Sequence, residues 1–243
     1  MKTCKRSLKD LTKNNKTPFV SAVIPAAGQG IRMGAKKNKT YLDLKGKPIL
    51  AHAIEEFEKL EIVKEIIVVI QEDEIELCQL DVLEPYQYKK VQLVLGGKTR
   101  QESVYKGLLA VDKRCDLVMI HDGARPMINQ EILLECIDET MRNQASVVAV
   151  PAKNTMKIVG NNGFVISTPK RETIFEVHTP QTFDYKLIVK AHEHAIEQNF
   201  VGTDDASLVE AMGIPVYIIK GNYSNIKITT PEDLVFAEGL LGN

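Results

Sequence analysis

Residues 26–42, AAGQGIRMGAKKNKTYL, set three glycines (Gly28, Gly30 and Gly34) among a run of cations. Arg32, Lys36, Lys37, Lys39, Lys45 and Lys47 face only one nearby acid, Asp43. Bare backbone N–H groups from glycine plus concentrated positive charge suit a polyphosphate. The alternative reading is a solvated surface loop with ordinary lysines, since charge runs often do nothing specific. The spacing G-x-G-x-x-x-G is one residue too long for the dinucleotide fingerprint, and Gln92 occupies the glycine position that GGKT (96–99) would need to complete a P-loop. A Rossmann dehydrogenase and a P-loop ATPase are therefore both disfavoured.

The rest of the chain limits what such a loop can serve. Of 243 residues, 44% are hydrophobic, enough for one sizeable core. The 31 basic residues are matched by 32 acidic ones, which argues against a surface built to coat nucleic acid or an anionic membrane. The four cysteines (Cys4, Cys78, Cys115 and Cys136) show neither C-x-x-C nor a partnered histidine spacing, so reduced thiols in a cytoplasmic protein fit best. The opening MKTCKRSLKDLTKNNKT is polar and basic without a signal-peptide core, and no apolar run is long enough to span a bilayer. We expect residues 1–17 to be a disordered tail and residues 18–243 to form one domain.

The loop must be positioned by the elements around it. FVSAVIPA, EIIVVIQ, VQLVLGG, DLVMIHD, ASVVAVPA and PVYIIKG are short β-branched apolar runs. They alternate with segments of helical spacing: PILAHAIEEFEKL, RQESVYKGLLAV, NQEILLECIDETMRN, YKLIVKAHEHAIEQN and PEDLVFAEGLL. That rhythm predicts an α/β fold, a Rossmann-like three-layer sandwich around a mostly parallel twisted sheet. Thr230, followed by Pro231, is the expected N-cap of the last helix. One stretch breaks the rhythm, where two alternating runs flank GNNG (160–163) and predict a protruding β-hairpin arm at about 152–176. Such an arm calls for a partner surface, so a homodimer is expected. The glycine loop follows a buried strand, the place where open α/β sheets bind ligands.

Read together, PAAGQGIRMG (25–34) and KNKTYLDLKGKPIL (37–50) resemble the nucleotidyltransferases that attach a nucleoside monophosphate to a phosphorylated small molecule. HDGARP (121–126), TPQTF (179–183), TDDAS (203–207) and NIKITTPEDL (225–234), in that order, resemble the 2-C-methyl-D-erythritol 4-phosphate cytidylyltransferase family. The resemblance runs from about Phe19 to the C-terminus. It implies attack of the acceptor's phosphate oxygen on the α-phosphorus of CTP, with Mg²⁺ or another divalent cation accompanying the triphosphate. Charge gathers on phosphate oxygens in such a step, so positioned cations supply most of the catalysis.

By the same resemblance, Arg32 and Lys39 stabilise the transition state and Lys227, expected on a short strand before the last helix, positions the acceptor. Arg171 and Thr155 reach the acceptor from the arm of the neighbouring subunit. Asp122 lies near ribose and phosphates, with Gly123 and Arg125 beside it, and His121 reads as structural. Ala26, Ala27, Gly28, Gly30, Gly97 and Ser103 form the nucleotide contact, Ser103 having a helix-capping reading as well. Thr203 touches the acceptor and has a capping reading too. No protein ligand for the metal is assigned, because the nucleotide phosphates hold Mg²⁺ in the main.

Three departures from the family pattern stand out. Asn38-Lys39-Thr40 replaces Pro-Lys-Gln, which should loosen the approach to Lys39. Lys98 stands where an acid is frequent, and the basic tail has no counterpart. Ribitol 5-phosphate is the rival acceptor, and a non-catalytic nucleotide-binding regulator is the reading from another class.

Overall fold

The computed structural model describes residues 17–28 and 38–242. The tail at 1–16 and, within the glycine loop, Gly30, Arg32, Gly34, Lys36 and Lys37 lie outside the described residues. The spine is a seven-stranded sheet. Its members are β1 (Val20–Pro25), β4 (Val63–Ile70), β5 (Val91–Leu95), β6 (Leu117–Ile120), β7 (Ala145–Pro151), β10 (Phe175–Asp184) and β11 (Tyr217–Lys220). They run in the order β11-β7-β10-β6-β1-β4-β5. Among the described residues, the two-residue pair β2 (Asp43–Leu44) with β3 (Lys47–Pro48) and the hairpin β8 (Ile158–Val159) with β9 (Val165–Ser167) are the remaining strands.

All neighbours in the large sheet are parallel except where β10 enters, antiparallel to both β6 and β7. The sequence reading anticipated the other six and placed part of β10 in the arm. The arm proper is correspondingly shorter, because Phe175 already pairs with Pro151 of β7.

β1 and β4 are almost wholly apolar because both of their faces are covered. On one face lie α1 (Ile49–Glu58) and α5 (Gln130–Asn143). Helix α5 buries Leu133, Cys136, Ile137 and Thr140, the three-and-four spacing of a single stripe, and is capped by Asn129 accepting from the Ile132 N–H. On the other face lie α4 (Arg100–Ala110), α6 (Tyr185–Glu197) and α7 (Asp205–Ala211). Gly107 of α4 lets that helix sit against the sheet, since a Cβ there would come within 2.7 Å of Val23 and 2.9 Å of Val69.

The last helix, α8 (Pro231–Leu241), begins at the Thr230 cap, as anticipated. Its Ala237 joins Leu44, Ile49 and Ile228 in a small separate cluster. Burial of Ile228 contributes on the order of 2 kcal/mol and anchors the segment that carries Lys227. Between Gln71 and Gln87 the chain makes short 3-10, α and π turns, including α2 (Ile75–Cys78) and α3 (Glu84–Tyr86), which the spacing of the sequence did not announce.

Candidate active site

The carboxyl ends of β1, β4, β5 and β6 open on a cavity of about 730 Å³. Ala26, Ala27 and Gly28 follow β1, Gln71 follows β4, Gly96 and Gly97 follow β5, and Asp122 follows β6; all line it. Lys39, Ser103 and Lys227 line it too. A second cavity of about 330 Å³ is bounded by Arg125, His178, Thr179, Gln181, Thr203 and Asp204. Arg100, Asp122 and Lys227 belong to the walls of both. Among the described residues, the two spaces therefore meet at one carboxylate and two cations.

Each wall has a local cause. Thr99 caps α4 by accepting from the Glu102 N–H, and the Ser103 hydroxyl accepts from the Gly97 N–H at 3.0 Å and donates to the Thr99 carbonyl at 2.8 Å. Ser103 thus clamps the turn before the helix and is not its N-cap, which corrects the capping reading. A side chain at Gly97 would collide with Glu102, so the close turn requires glycine. The Ala26 carbonyl accepts from Asn38 Nδ2 at 2.9 Å and the Ala27 carbonyl from Gln71 Nε2 at 2.7 Å. A carbonyl oxygen can accept two hydrogen bonds, so these bonds leave each one with acceptor capacity.

Lys39 begins a 3-10 turn (Lys39–Tyr41) whose Thr40 and Tyr41 are buried. Asn38 caps that turn and also donates to Glu74 at 2.7 Å. Asn38 thereby ties its own position to Ala26 after β1 and to Glu74, while the loop at 29–37 that leads to it lies outside the described residues.

Asp122 is the electrostatic centre. Its carboxylate is 2.9 Å from Lys227 Nζ, 3.5 Å from Arg100 Nε and 3.5 Å from Arg125 Nε. Burial alone would raise its pKa, but Lys227, Arg100 and Arg125 outweigh that and hold it well below the usual carboxylate range. Arg125 donates to the Asn225 carbonyl at 2.7 Å, and Asn225 donates to the Thr179 carbonyl at 2.8 Å. These bonds hold the 225–229 segment over β10. That segment contains no strand; Lys227 is carried instead on an irregular stretch fixed by the Ile228 N–H to the Ala124 carbonyl. The strand expected there is replaced by side-chain bonding because Arg125 and Asn225 take the place of a ladder.

Gly123 lines neither cavity; its N–H donates to the Pro25 carbonyl and it packs against Leu50. Thr203 lines the second cavity, while the capping role at α7 belongs to Asp204, which accepts from the Ser207 N–H. Gln181 completes that corner by accepting from the N–H groups of Asp205 and Ala206.

Arg171 and Thr155 are exposed on the arm and line neither cavity of their own chain. The nearest bond of Arg171 is to the Lys153 carbonyl at 3.3 Å. Sequence reasoning missed Arg100. Its signal was an arginine at the first position of a helix after a Thr cap, where a cation opposes the helix dipole and needs a local reason.

His121 is fully buried, its ring bridging the Thr179 hydroxyl and the Arg125 carbonyl at 3.0 Å each. That is the structural role read from its place beside Asp122. Burial pushes its pKa down to about 4. Above pH 6.5 the native and unfolded states are both neutral there. Between 6.5 and 4 the unfolded chain takes up a proton that the native state refuses, so stability falls with falling pH. We expect a loss of about 3 kcal/mol across that window in urea denaturation, flattened in H121Q. A slope unchanged by H121Q would contradict it. His178, held low by burial and by Arg125, acts in the same direction.

The family model described as 2-C-methyl-D-erythritol 4-phosphate cytidylyltransferase matches residues 20–243. The chain belongs to this family. It is similar to the 2-C-methyl-D-erythritol 4-phosphate cytidylyltransferase of Caldanaerobacter subterraneus, with 50% identity over 90% of this chain and 97% of the relative. The protein of the same name from Alkaliphilus oremlandii is 47% identical over 91% and 94%. Among solved structures, the 4-diphosphocytidyl-2C-methyl-D-erythritol synthase of Anaerococcus prevotii superposes with a TM-score of 0.85 at 36% identity, covering 93% of this chain and 97% of the other. The Thermus thermophilus cytidylyltransferase gives 0.76 at 30% identity, covering 93% and 100%. Membership in the cytidylyltransferase family and the Rossmann-like α/β sandwich expected from the sequence agree.

Proposed function

We propose that this chain transfers CMP from CTP to 2-C-methyl-D-erythritol 4-phosphate, giving 4-diphosphocytidyl-2-C-methyl-D-erythritol and pyrophosphate. The observation that carries the reading is the junction of two cavities at Arg100, Asp122 and Lys227. The larger space takes the nucleotide, with the cytosine amino group donating to the Ala26 and Ala27 carbonyls and Gly97 and Ser103 closing over it. The smaller takes the acceptor against Thr203 and Arg125. An acceptor phosphate oxygen forms a bond to the α-phosphorus while the bond to pyrophosphate breaks. Arg32, Lys39 and Lys227 meet the charge that develops, Arg as a fork and Lys as a point charge.

Among the described residues there is no cluster of three metal-ligating side chains. Mg²⁺ often takes most of its ligands from substrate phosphates, and Asp122 at the junction is already engaged by Lys227, Arg100 and Arg125, so the triphosphate itself would supply the main ligands. When bound, the ion offsets the charge of the triphosphate.

Arg171 and Thr155 act in the site of the sister subunit. Met156, Ile158, Val159, Phe164, Val165 and Ile166 leave the arm's apolar surface uncovered in one chain, which supports a homodimer through it. We place the enzyme in the cytoplasm, a reading supported by the free buried thiols of Cys78, Cys115 and Cys136. No helix among the described residues is long and apolar enough to cross a membrane. Nucleic acid is not a partner in this reading.

Pyrophosphate release from CTP and Mg²⁺ with methylerythritol phosphate, and separately with ribitol 5-phosphate, tests the assignment. Preference for ribitol phosphate would discard the acceptor, and no release with either would favour a binding regulator. Replacing Phe164 and Ile166 together by Asp should yield a monomer by light scattering and lower turnover at least tenfold, the loss of a phosphate-binding arginine costing roughly 2 kcal/mol. A fully active monomer would remove the arm from the site.

A further inference from the structure

Arg100 is an anomaly at its position. It opens α4, where the helix dipole repels cations, and it shares its wall of the larger cavity with Lys98 and Lys106. Left to itself, so flexible a side chain in so positive a wall would swing into solvent. A carboxylate behind the wall prevents this. Asp205 is 1% exposed, and its Oδ2 lies 2.7 Å from Arg100 Nη2. Its other oxygen lies 3.5 Å from Nε2 of the fully buried His192, whose ring stacks on Tyr105 of α4. The backbone of Asp205 is fixed as well, because Gln181 of β10 accepts its N–H. Asp205 lines neither cavity, whereas Arg100 lines both and turns its Nε toward Asp122 at 3.5 Å. Burial lowers the pKa of Arg100, but the carboxylates of Asp205 and Asp122 reverse this and raise it, so the guanidinium stays charged.

We infer that Asp205, backed by His192, is a positioning residue that holds the Arg100 guanidinium across the wall between the two cavities, where its outward edge meets the phosphates of the nucleotide. Arg100 is thereby a further phosphate-binding residue of the site, placed by a pair of carboxylates 83 positions apart in sequence, Asp122 and Asp205. A lysine could not replace it, since one ammonium cannot span two carboxylates and still present a donor edge. The inference rests on the cytidylyl-transfer reading for the identity of the ligand.

A double-mutant cycle tests it, read in two ways: CTP affinity by calorimetry with Mg²⁺ and no acceptor, and kcat/KM for CTP from pyrophosphate release. D205N and R100A should each lower kcat/KM by roughly a hundredfold, as a small misplacement of a catalytic group does. The double variant should fall no further than R100A, to within about threefold, because both changes remove one function. Losses that multiply in either readout would overturn the inference, showing that Asp205 acts through the stability of α7 alone. R100K leaves Asp205 with a charged partner, so its folding does not hang on the buried carboxylate, and it decides the matter even where D205N fails to fold. R100K is expected to behave like R100A; recovery to wild-type levels overturns the inference. The functional reading fails separately, in unmodified protein that binds CTP yet releases no pyrophosphate with either acceptor. Unmodified protein that binds no CTP would overturn both.

Discussion

Replacing Lys39 by Met is expected to lower kcat by roughly a hundred- to a thousandfold while CTP affinity changes only severalfold. Lys39 lines the larger cavity, and the burial of Thr40 and Tyr41 immediately after it fixes the backbone that carries it. In the proposed reaction a cation held in that way would contribute little to binding a triphosphate, because the Gly97 turn, Arg100 and Lys227 line the same space. On the proposed mechanism its effect would be concentrated where negative charge grows on the α-phosphate oxygens. Interactions of that kind act on turnover and spare ground-state affinity. Single-turnover rates set beside calorimetric CTP binding separate the two. Should binding and turnover fall in parallel, Lys39 would be an anchor for the nucleotide and not a stabiliser of the transition state.

Asp122→Asn is expected to destabilise the protein by about 3 kcal/mol, the lower end of the cost of breaking a buried ion pair. The lower end applies because Lys227 and Arg100 are 38% and 34% exposed and can recover water, whereas Arg125 is only 10% exposed and cannot. The neutral amide leaves three cations facing one another with their common counter-charge gone. Lys227, freed from its 2.9 Å contact, should also lose its place between the cavities, so turnover falls together with stability. Urea denaturation of D122N, of K227M and of the double variant measures the coupling. The double variant should lose at least about 1 kcal/mol less than the sum of the singles. Additive losses, or unchanged stability in D122N, would show that the carboxylate does not organise this centre.

Much of this architecture is legible in the chain itself. Strands buried on both faces must be apolar runs, so β1, β4, β6 and β7 announce themselves, and the three-and-four spacing of α5 and the Thr230 cap of α8 are local facts that folding does not alter. The short motifs at the strand ends likewise give Gly97 and Asp122, since the carboxyl edge of a parallel sheet collects them whatever the details of packing. β10 is different. Its buried stretch, Thr179 to Phe183, carries Thr, Pro and Gln where a central strand usually carries Val or Ile, and the polar groups of Thr179 and Gln181 become tolerable only once Asp122, Asp204 and Asp205 arrive to bond them.

The same holds for the wall between the cavities. Lys227 lies on an irregular stretch held by Arg125 and Asn225, and Arg100 meets Asp205 across 105 positions of chain. Periodicity and capping act over a few residues and determine elements. Contacts between charges that distant elements carry depend on where those elements pack, so the tertiary structure alone decided that Arg100 joins the site and that Arg171 and Thr155, exposed on the arm, stand apart from the cavities of their own chain.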